Sequence, residues 1–142
     1  MRVVVDTNIV LDVLVFEDPG VQPLREALQA GGRWCVTPAM RAELQRVLDY
    51  PMIARRRAQR GLSLDDVMAA FDAWAELHPV AAKAPYTCKD PDDQGFVDLA
   101  CALGIDLISK DNAVLALHKR LLRLRVTVRR RWTPADGDSS PV

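Results

Sequence analysis

The sequence has few of the residues on which common catalytic and zinc sites are built. Its 142 residues include three cysteines (Cys35, Cys88 and Cys101) and two histidines (His78 and His118). The cysteines are odd in number, widely spaced and without a C-x-x-C pair, so they support neither a disulfide framework nor a zinc ribbon. The histidines lack metal-ligand spacing, no Ser-His-Asp arrangement can be assigned, and no glycine-rich loop suited to binding phosphate is present.

The chain also lacks a long apolar run and an excess of charge. Asp6 and Asp12 interrupt the apolar N-terminus, and no run reaches the ~18 to 20 residues that span a bilayer. With 19 basic and 19 acidic residues the formal net charge is zero, which argues against coating nucleic acid through bulk positive charge. We therefore expect a soluble, cytoplasmic protein without a membrane partner, in a reducing compartment.

What the chain does have is apolar periodicity that switches between strand and helix. Strands alternate with helices, which predicts one α/β domain with three α/β/α layers and a mostly parallel central sheet. The domain is expected to span residues 1–132, and the small, polar residues 133–142 are expected to form a disordered tail. The predicted strands are residues 2–6, 34–36, 79–84 (a strand or an extended link), 107–108 and 124–132.

Carboxylates mark the joints between these elements. Asp6 ends the first apolar strand and Asp111 follows the strand at 107–108, while Asp93 and Glu43 lie near the starts of helices. The carboxyl ends of parallel strands share one edge of a sheet, so these four acids are expected to face one cavity. Clustered carboxylates repel one another unless a hard cation neutralises them, which predicts bound Mg²⁺ or Mn²⁺. Because no Ser, Cys or His nucleophile is evident, metal-activated water would be the attacking group.

Each acid also has an ordinary structural explanation. Asp93 and Asp111 are suited to capping helices, Glu43 alone would be a solvated helix residue, and Asp6 alone a turn residue. Asp98 follows Asp93 by five positions and points about 140° away on a helix, so a solvated carboxylate is expected there.

Basic residues are concentrated in segments without acids. Residues 50–64 contain Arg55, Arg56, Arg57 and Arg60, and residues 113–135 contain seven further lysines and arginines. Such segments are either solvated faces or a basic rim around the acidic pocket that contacts a polyanion. On the second interpretation the arginines at 55–60 would contact the phosphates of such a polyanion.

Four segments, in order, resemble the successive motifs of the PIN-domain family, and most closely its toxins of toxin–antitoxin pairs. They are VVVDTNI, TPAMRAELQRVL, the C-x-D-P-x-D pattern with Phe96 after it, and LISKD. The resemblance implies a PIN fold, Mg²⁺- or Mn²⁺-dependent ribonuclease activity, a small antitoxin partner and a four-acid site. Those acids are Asp6, Glu43, Asp93 and Asp111, and a homodimer is left open.

The same resemblance assigns the supporting residues. Asp93 is preferred to Asp90, Asp92 and Asp98 because the family's third acid opens a helix about 18 residues before the fourth, and 111 − 93 is 18. Asp90 is then a supporting residue. Asn8 would orient Asp6 or a metal-bound water, and Ser109 replaces the family's usual threonine while keeping a hydroxyl.

Two rival functions are weighed against this one. A haloacid-dehalogenase-like phosphatase also begins with an Asp after an apolar strand, but it needs a second Asp two residues later, where this chain has Asn8. A non-catalytic RNA-binding or scaffold protein on a PIN fold would be expected to have lost one or more of the acids. All four are present.

Overall fold

The computed structural model describes residues 1–134, which form five strands and eight α-helices. The strands are β1 (Arg2–Val5), β2 (Arg33–Val36), β3 (Ala75–Leu77), β4 (Leu107–Ile108) and β5 (Val128–Arg129). The helices are α1 (Thr7–Leu11), α2 (Gln22–Gln29), α3 (Pro38–Leu48), α4 (Pro51–Gln59), α5 (Leu64–Trp74), α6 (Gln94–Leu103), α7 (Asn112–Leu115) and α8 (His118–Leu122). A π-helical turn, Asp12–Phe16, continues α1, and single 3₁₀ turns occupy Pro19–Val21 and Pro91–Asp93.

The five strands form one sheet in the order β3-β2-β1-β4-β5, and every strand pair within residues 1–134 is parallel. The chain builds outward from β1 through β2 to β3, and then returns to the other side of β1 for β4 and β5. The order therefore reverses between β1 and β4, and ligands of open α/β sheets bind beyond the carboxyl ends of the strands at such a switch point. Asp6 and Asp111 follow these two strands.

Helices cover both faces of the sheet, so the predicted three-layer α/β/α arrangement is confirmed. Successive residues of a strand point to opposite faces: Val3, Val5 and Trp34 pack with α1 to α5, whereas Val4 and Cys35 pack with α6 to α8. The pattern gives two hydrophobic cores, one on each face. The near-continuous apolar composition of β1 follows from this burial on both faces.

Local sequence signals set several helix ends. Ser63 and Asp66 form a capping box at the start of α5, because each side chain accepts a hydrogen bond from the other's backbone N–H, at 3.0 and 2.9 Å. Gly104 ends α6 in the left-handed conformation, at φ 65°, which costs glycine little because it has no Cβ.

Two strand predictions were wrong in position. Residues 79–84 were expected to form a strand or an extended link; they form no strand, and β3 is Ala75–Leu77, directly after α5. Pro79 has no N–H to donate to a strand ladder, so pairing with β2 ends at His78. The last strand was expected over residues 124–132, but β5 is only Val128–Arg129. The left-handed conformation of Arg125, at φ 65°, breaks the extended backbone at the start of the expected range.

The predicted tail, residues 133–142, lies mostly outside the described residues. Thr133 and Pro134 have no regular structure. Among the helices of residues 1–134, none combines the length and the apolar character that a membrane span requires.

Candidate metal centre

Asp6 is fixed at the carboxyl end of β1. Its Oδ1 accepts a hydrogen bond of 2.9 Å from the Ile9 backbone N–H and so caps α1, while the Ser109 hydroxyl donates to its Oδ2. The parallel register pairs Val5 with Ile108, which brings Ser109 level with Asp6. The Asp6 residue is 3% exposed, so its carboxylate is held rigidly at the start of the helix.

Ser109 connects Asp6 to Asp111. Its oxygen accepts the Asp111 backbone N–H at 3.0 Å while its hydrogen points to Asp6. Asp111 in turn caps α7, because its Oδ1 accepts the Ala113 backbone N–H at 2.8 Å. Fully buried Ser109 therefore sets the spacing of two acids that lie 105 positions apart in the sequence (111 − 6).

Three carboxylates meet beyond these strand ends. Asp90, Asp93 and Asp111 each offer an oxygen, and the three oxygens lie within 4.8 Å of one another. Asp90 caps the 3₁₀ turn before α6 by accepting the Asp92 N–H at 3.0 Å. Sequence reasoning assigned Asp90 a supporting position, whereas the structure brings it into the cluster. The Asp90-Pro91 pair predicts a turn that fixes the Asp90 side chain. The sequence spacing alone does not identify Asp90 as the acid that joins Asp93 and Asp111.

Asp93 differs from the other two acids of this cluster. It stands at the N-cap position of α6, yet its side chain makes no capping hydrogen bond. Its Oδ2 is buried and has no hydrogen-bond partner among residues 1–134. A buried carboxylate oxygen without a partner is costly, so Asp93 does not serve here as an ordinary helix cap.

The pKa values of these acids reflect the crowding of their carboxylates. Burial, and then the neighbouring carboxylate of Asp111, raise the pKa of Asp93 to about 7 from an ordinary 3.8, with Asp90 and Asp6 adding to the shift. Burial also raises the pKa of Asp6, although hydrogen bonds from Ser109 and Ile9 lower it. The negative form of the cluster is thus disfavoured without a positive partner.

The donor set fits a hard divalent cation. All the converging atoms are carboxylate oxygens, the ligands preferred by Mg²⁺ and Mn²⁺, and an ion with ligand distances of about 2.1 to 2.5 Å bridges oxygens up to roughly 4 to 5 Å apart. The carboxylate of Asp93, whose Oδ2 has no hydrogen-bond partner within residues 1–134, is one of the three that would hold such an ion. Asp90, Asp93 and Asp111 are therefore the residues suited to hold it, with Asp6 beside them.

A neighbouring lysine does not neutralise the cluster by direct contact. Lys110 precedes Asp111, but its ammonium pairs with the carboxylate of Asp12, which is 7% exposed on the π-helical turn. From this position Lys110 lowers the pKa of Asp6 through space, as the smallest of several effects. This ion pair was not anticipated from the sequence, where Asp12 appeared only as a break in the apolar N-terminus.

Glu43 and Asn8 line the same cavity as the clustered acids but are not part of the three-carboxylate group. The cavity has a volume of about 1060 Å³ and is lined by Asp6, Asn8, Glu43 and the three clustered acids. The Glu43 carboxylate forms an ion pair with Arg46 on the next turn of α3 and is 41% exposed. The structure therefore places Glu43 on the wall, outside the three-carboxylate group, and Asn8 on an exposed part of the lining.

Asp98 corrects an expectation. It was expected to be a solvated acid, but it is half-buried, and its Oδ1 accepts hydrogen bonds of 2.8 Å from the Ala84 backbone N–H and from the Gln94 amide. Asp98 therefore fixes the segment that leads from β3 to α6. The helical-wheel argument failed because it considered α6 alone and not the loop packed against it.

The four arginines predicted to contact RNA fall into two groups. Arg55 and Arg56 are exposed on α4. Arg57 donates to the carbonyls of Leu48 and Leu62 at 3.0 and 3.2 Å and pairs with Asp49, with its side chain 11% exposed. Arg60 pairs with Glu17 at 2.6 Å. Arg57 and Arg60 thus have structural partners, whereas Arg55 and Arg56 face solvent.

The comparisons with known proteins agree with the motifs. The family model described as PIN domain matches residues 2–113, a span that contains the strands β1 to β4 and all the acids described above. No curated protein matches the chain.

Proposed function

The chain belongs to the PIN-domain family, whose members are generally nucleases, and from this premise we propose that it is a Mg²⁺- or Mn²⁺-dependent endoribonuclease. The observation that carries the proposal is the group of three carboxylates, Asp90, Asp93 and Asp111, within 4.8 Å of one another. The group lies at the topological switch point of the sheet, where catalytic sites of this architecture are found.

Asp90, Asp93 and Asp111 would hold the ion, and Asp6 lies next to them. When bound, such an ion supplies a water of lowered pKa and neutralises charge on the phosphate that is cleaved. The protein's contribution is to position the oxygens. Ser109 fixes Asp6 and Asp111 through its two hydrogen bonds, and Glu43, paired with Arg46, lies on the wall of the cavity.

In the metal-free protein burial, and then the neighbouring carboxylate of Asp111, raise the pKa of Asp93 to about 7, so its ionised form is disfavoured and a proton competes for the carboxylate near neutral pH. Occupation of the site by a cation would displace that proton, since a ligand carboxylate must be ionised. The empty site with all its carboxylates ionised is therefore less favourable than the site with a bound cation.

The cavity also suits a single-stranded chain. Besides the acids it is lined by Tyr50, Met52 and Val80, which are 53%, 68% and 75% exposed. An exposed aromatic ring offers a stacking surface that any base can use, worth about 1 to 3 kcal/mol per base. We infer that a splayed single strand, with one base against Tyr50, places its phosphate near the carboxylates.

The role of toxin within a toxin–antitoxin pair rests on the motif resemblance. It is tested by the adjacent reading frame, which should encode a short protein with a DNA-binding N-terminus and a C-terminal tail that inhibits this enzyme. An adjacent frame of another kind, or a short product that does not inhibit cleavage, would contradict the toxin role and leave the nuclease proposal unaffected.

The nuclease proposal is tested by cleavage of end-labelled single-stranded RNA and of DNA with the same sequence. Asp111→Asn is the informative variant, because Asn also caps helices well and keeps α7 in place. Asp65→Asn, an exposed first-turn aspartate of α5, is the matched control. We expect cleavage of RNA by the wild type and by Asp65→Asn, its loss in Asp111→Asn, and its loss on chelation with recovery on adding Mn²⁺. Wild-type cleavage by Asp111→Asn would overturn the proposal.

A further inference from the structure

A second group of metal-binding side chains lies on the sheet, and it shares no residue with the acidic cluster. Cys35 on β2 is paired in register with Glu76 on β3, and His78 follows two residues after Glu76. Alternation along a strand puts Glu76 and His78 on the same face as Cys35. The sequence reasoning missed this group because it placed β3 at 79–84 and so did not recognise Glu-x-His as a strand pattern.

The donor atoms of these three residues converge. The Cys35 thiol lies 3.7 Å from Glu76 Oε2, and His78 Nε2 lies 2.6 Å from the same oxygen. One donor atom from each residue falls within 4.8 Å of the other two. Cys35 is fully buried, whereas the side chains of Glu76 and His78 are 35% and 18% exposed, so an ion can reach the group from the solvent side.

The chemistry of the donors separates this group from the carboxylate cluster. A thiolate, an imidazole and a carboxylate together are the ligands of three-residue zinc sites, in which the fourth position stays open. Hard cations such as Mg²⁺ prefer oxygen alone and would not select it. We propose that Cys35, Glu76 and His78 form a second metal site, specific for Zn²⁺ and similar thiophilic ions, at the β2–β3 edge of the sheet.

The donor atoms of Cys35, Glu76 and His78 would have to move little relative to one another to bind a tetrahedral zinc ion. Bond lengths of about 2.0 to 2.3 Å put neighbouring donors of a tetrahedral zinc ion about 3.3 to 3.8 Å apart. The separation of Cys35 and Glu76 already falls in this range, at 3.7 Å. The hydrogen-bonded pair of His78 and Glu76 would open by about 0.7 Å to reach it. That opening is within the reach of side-chain rotation at a partly exposed edge.

Arg2 completes the arrangement from β1. Its guanidinium donates to both oxygens of Glu76, at 2.6 and 3.2 Å, and this contact holds the pKa of Glu76 down at about 2. The shortest of these contacts, 2.6 Å, runs from Arg2 Nη2 to Oε2, so it would have to open for Oε2 to bind the ion, while Arg2 Nε can keep its 3.2 Å contact with Oε1. Hydrogen-bonded partners of this kind orient metal-ligating carboxylates, and the single positive charge of Arg2 offsets one of the two negative charges that the thiolate and the carboxylate carry.

Binding must release a proton from the thiol. Burial, and then the negative charge of Glu76, raise the pKa of Cys35 to about 11, so the metal-free group carries S–H at neutral pH. The ion forms its bond to sulfur as the S–H bond breaks and one proton passes to the solvent. Affinity should therefore rise with pH, since metal and proton compete for the same sulfur.

The alternative is a purely structural network, in which Arg2, Glu76 and His78 pair to hold the edge strand and no ion binds. Titration of the full-length protein with Co²⁺, and separately with Cd²⁺, distinguishes the two, because a thiolate bound to either ion gives a ligand-to-metal charge-transfer absorption. These titrations are made with the Asp111→Asn variant, in which the carboxylate cluster binds cations more weakly. The charge-transfer signal then reports sulfur ligation outside that cluster.

The variants identify the sulfur. Cys88 lies beside Asp90, Asp93 and Asp111, so Cys88→Ser is the matched control for an ion held at the acidic cluster. We expect one equivalent of charge-transfer signal in the Asp111→Asn background and with Cys88→Ser. The signal should be absent with Cys35→Ser, and His78→Ala should weaken binding by at least about tenfold.

Cys35 is buried, so circular dichroism must show that Cys35→Ser is folded. If it is not, His78→Ala, at the partly exposed end of β3, provides an independent test. Absence of a charge-transfer band from the parent protein would overturn the proposal. So would a band that persists in folded Cys35→Ser, or unchanged affinity in His78→Ala. An affinity that rises with pH, because metal and proton compete for the sulfur, is the further result expected.

Discussion

Replacing Asp93 by Asn should stabilise the metal-free protein while abolishing RNA cleavage. Asparagine keeps the size of the side chain and removes one negative charge from a site already crowded by Asp90 and Asp111. Its amide also resembles the protonated form that the folded protein prefers, because burial and Asp111 raise the pKa of Asp93 to about 7. Most substitutions destabilise a protein, so a gain in stability is a specific expectation.

The size of the gain in stability follows from the shift in the pKa of Asp93. Each pKa unit corresponds to about 1.4 kcal/mol, so the rise from 3.8 to about 7 sets an upper bound of roughly 4 kcal/mol. Asp93 is only half-buried, and solvent screening reduces the effect, so we expect a gain of about 2 kcal/mol in the free energy of unfolding. For a chain of this length that corresponds to a rise of about 5 °C in Tm.

The gain should depend on pH in a defined direction. Well below pH 3.8 Asp93 is protonated in both the folded and the unfolded wild type, so the variant has no advantage there, and at pH 4 its advantage is still small. Between pH 4 and 7 Asp93 ionises readily in the unfolded chain but less readily in the folded protein. The wild type therefore progressively loses stability relative to Asp93→Asn. Above pH 7 the difference should stay constant.

Thermal melts in chelator at pH 4 and pH 7.5 measure this difference, with Asp65→Asn as the control for loss of an exposed aspartate. Saturating Mn²⁺ should reverse the order, because the wild type gains about 2.7 kcal/mol at a metal concentration one hundred times Kd and the variant gains much less. The reasoning is refuted if Asp93→Asn in chelator at pH 7.5 is no more stable than the wild type, or if its advantage is as large at pH 4.

Further predictions concern Ser109 and the arginines of α4. Ser109→Ala leaves Asp6 Oδ2 and the Asp111 N–H without their shared partner and should cost about 1 to 3 kcal/mol together with cleavage activity; a variant equal to the wild type in melt and cleavage would show that Ser109 does not position the acids. Arg57→Ala should cost about 1 to 3 kcal/mol by chemical denaturation, whereas Arg55→Ala and Arg56→Ala should stay within about 0.5 kcal/mol. Replacing Arg55 and Arg56 together should weaken RNA binding about equally across sequences and flatten its salt dependence; unchanged binding would mark them as a solvated helix face.

Much of the site was predictable from the sequence because its acids lie at the joints between elements. Apolar runs that end in Asp6 and Asp111 predict strand ends, and parallel strands bring such ends to one edge. The sequence could not show that β1 and β4 are neighbours, since strand order depends on packing over the whole chain. That adjacency is what allows Ser109 to bridge Asp6 and Asp111.

The remaining misses have local causes. Asp98 was taken as solvated because a helix considered alone gives no account of the loop that packs on it, where Ala84 donates to its carboxylate. β3 was misplaced because the helical pattern of α5 runs directly into the strand at Ala75, and the strand is only three residues long. The partners of Arg57 are carbonyls, which a sequence does not reveal.

The most direct test of the central claim is calorimetric titration of Mn²⁺ into the wild type and Asp111→Asn under identical conditions. Asparagine preserves the cap of α7, so the two proteins should differ in the charge of the site and little else. If the carboxylates form a cation site, the wild type will show saturable binding and Asp111→Asn will bind at least about tenfold more weakly, which corresponds to 1.4 kcal/mol. Equal binding by the two proteins, or no saturable binding by the wild type, would contradict the account.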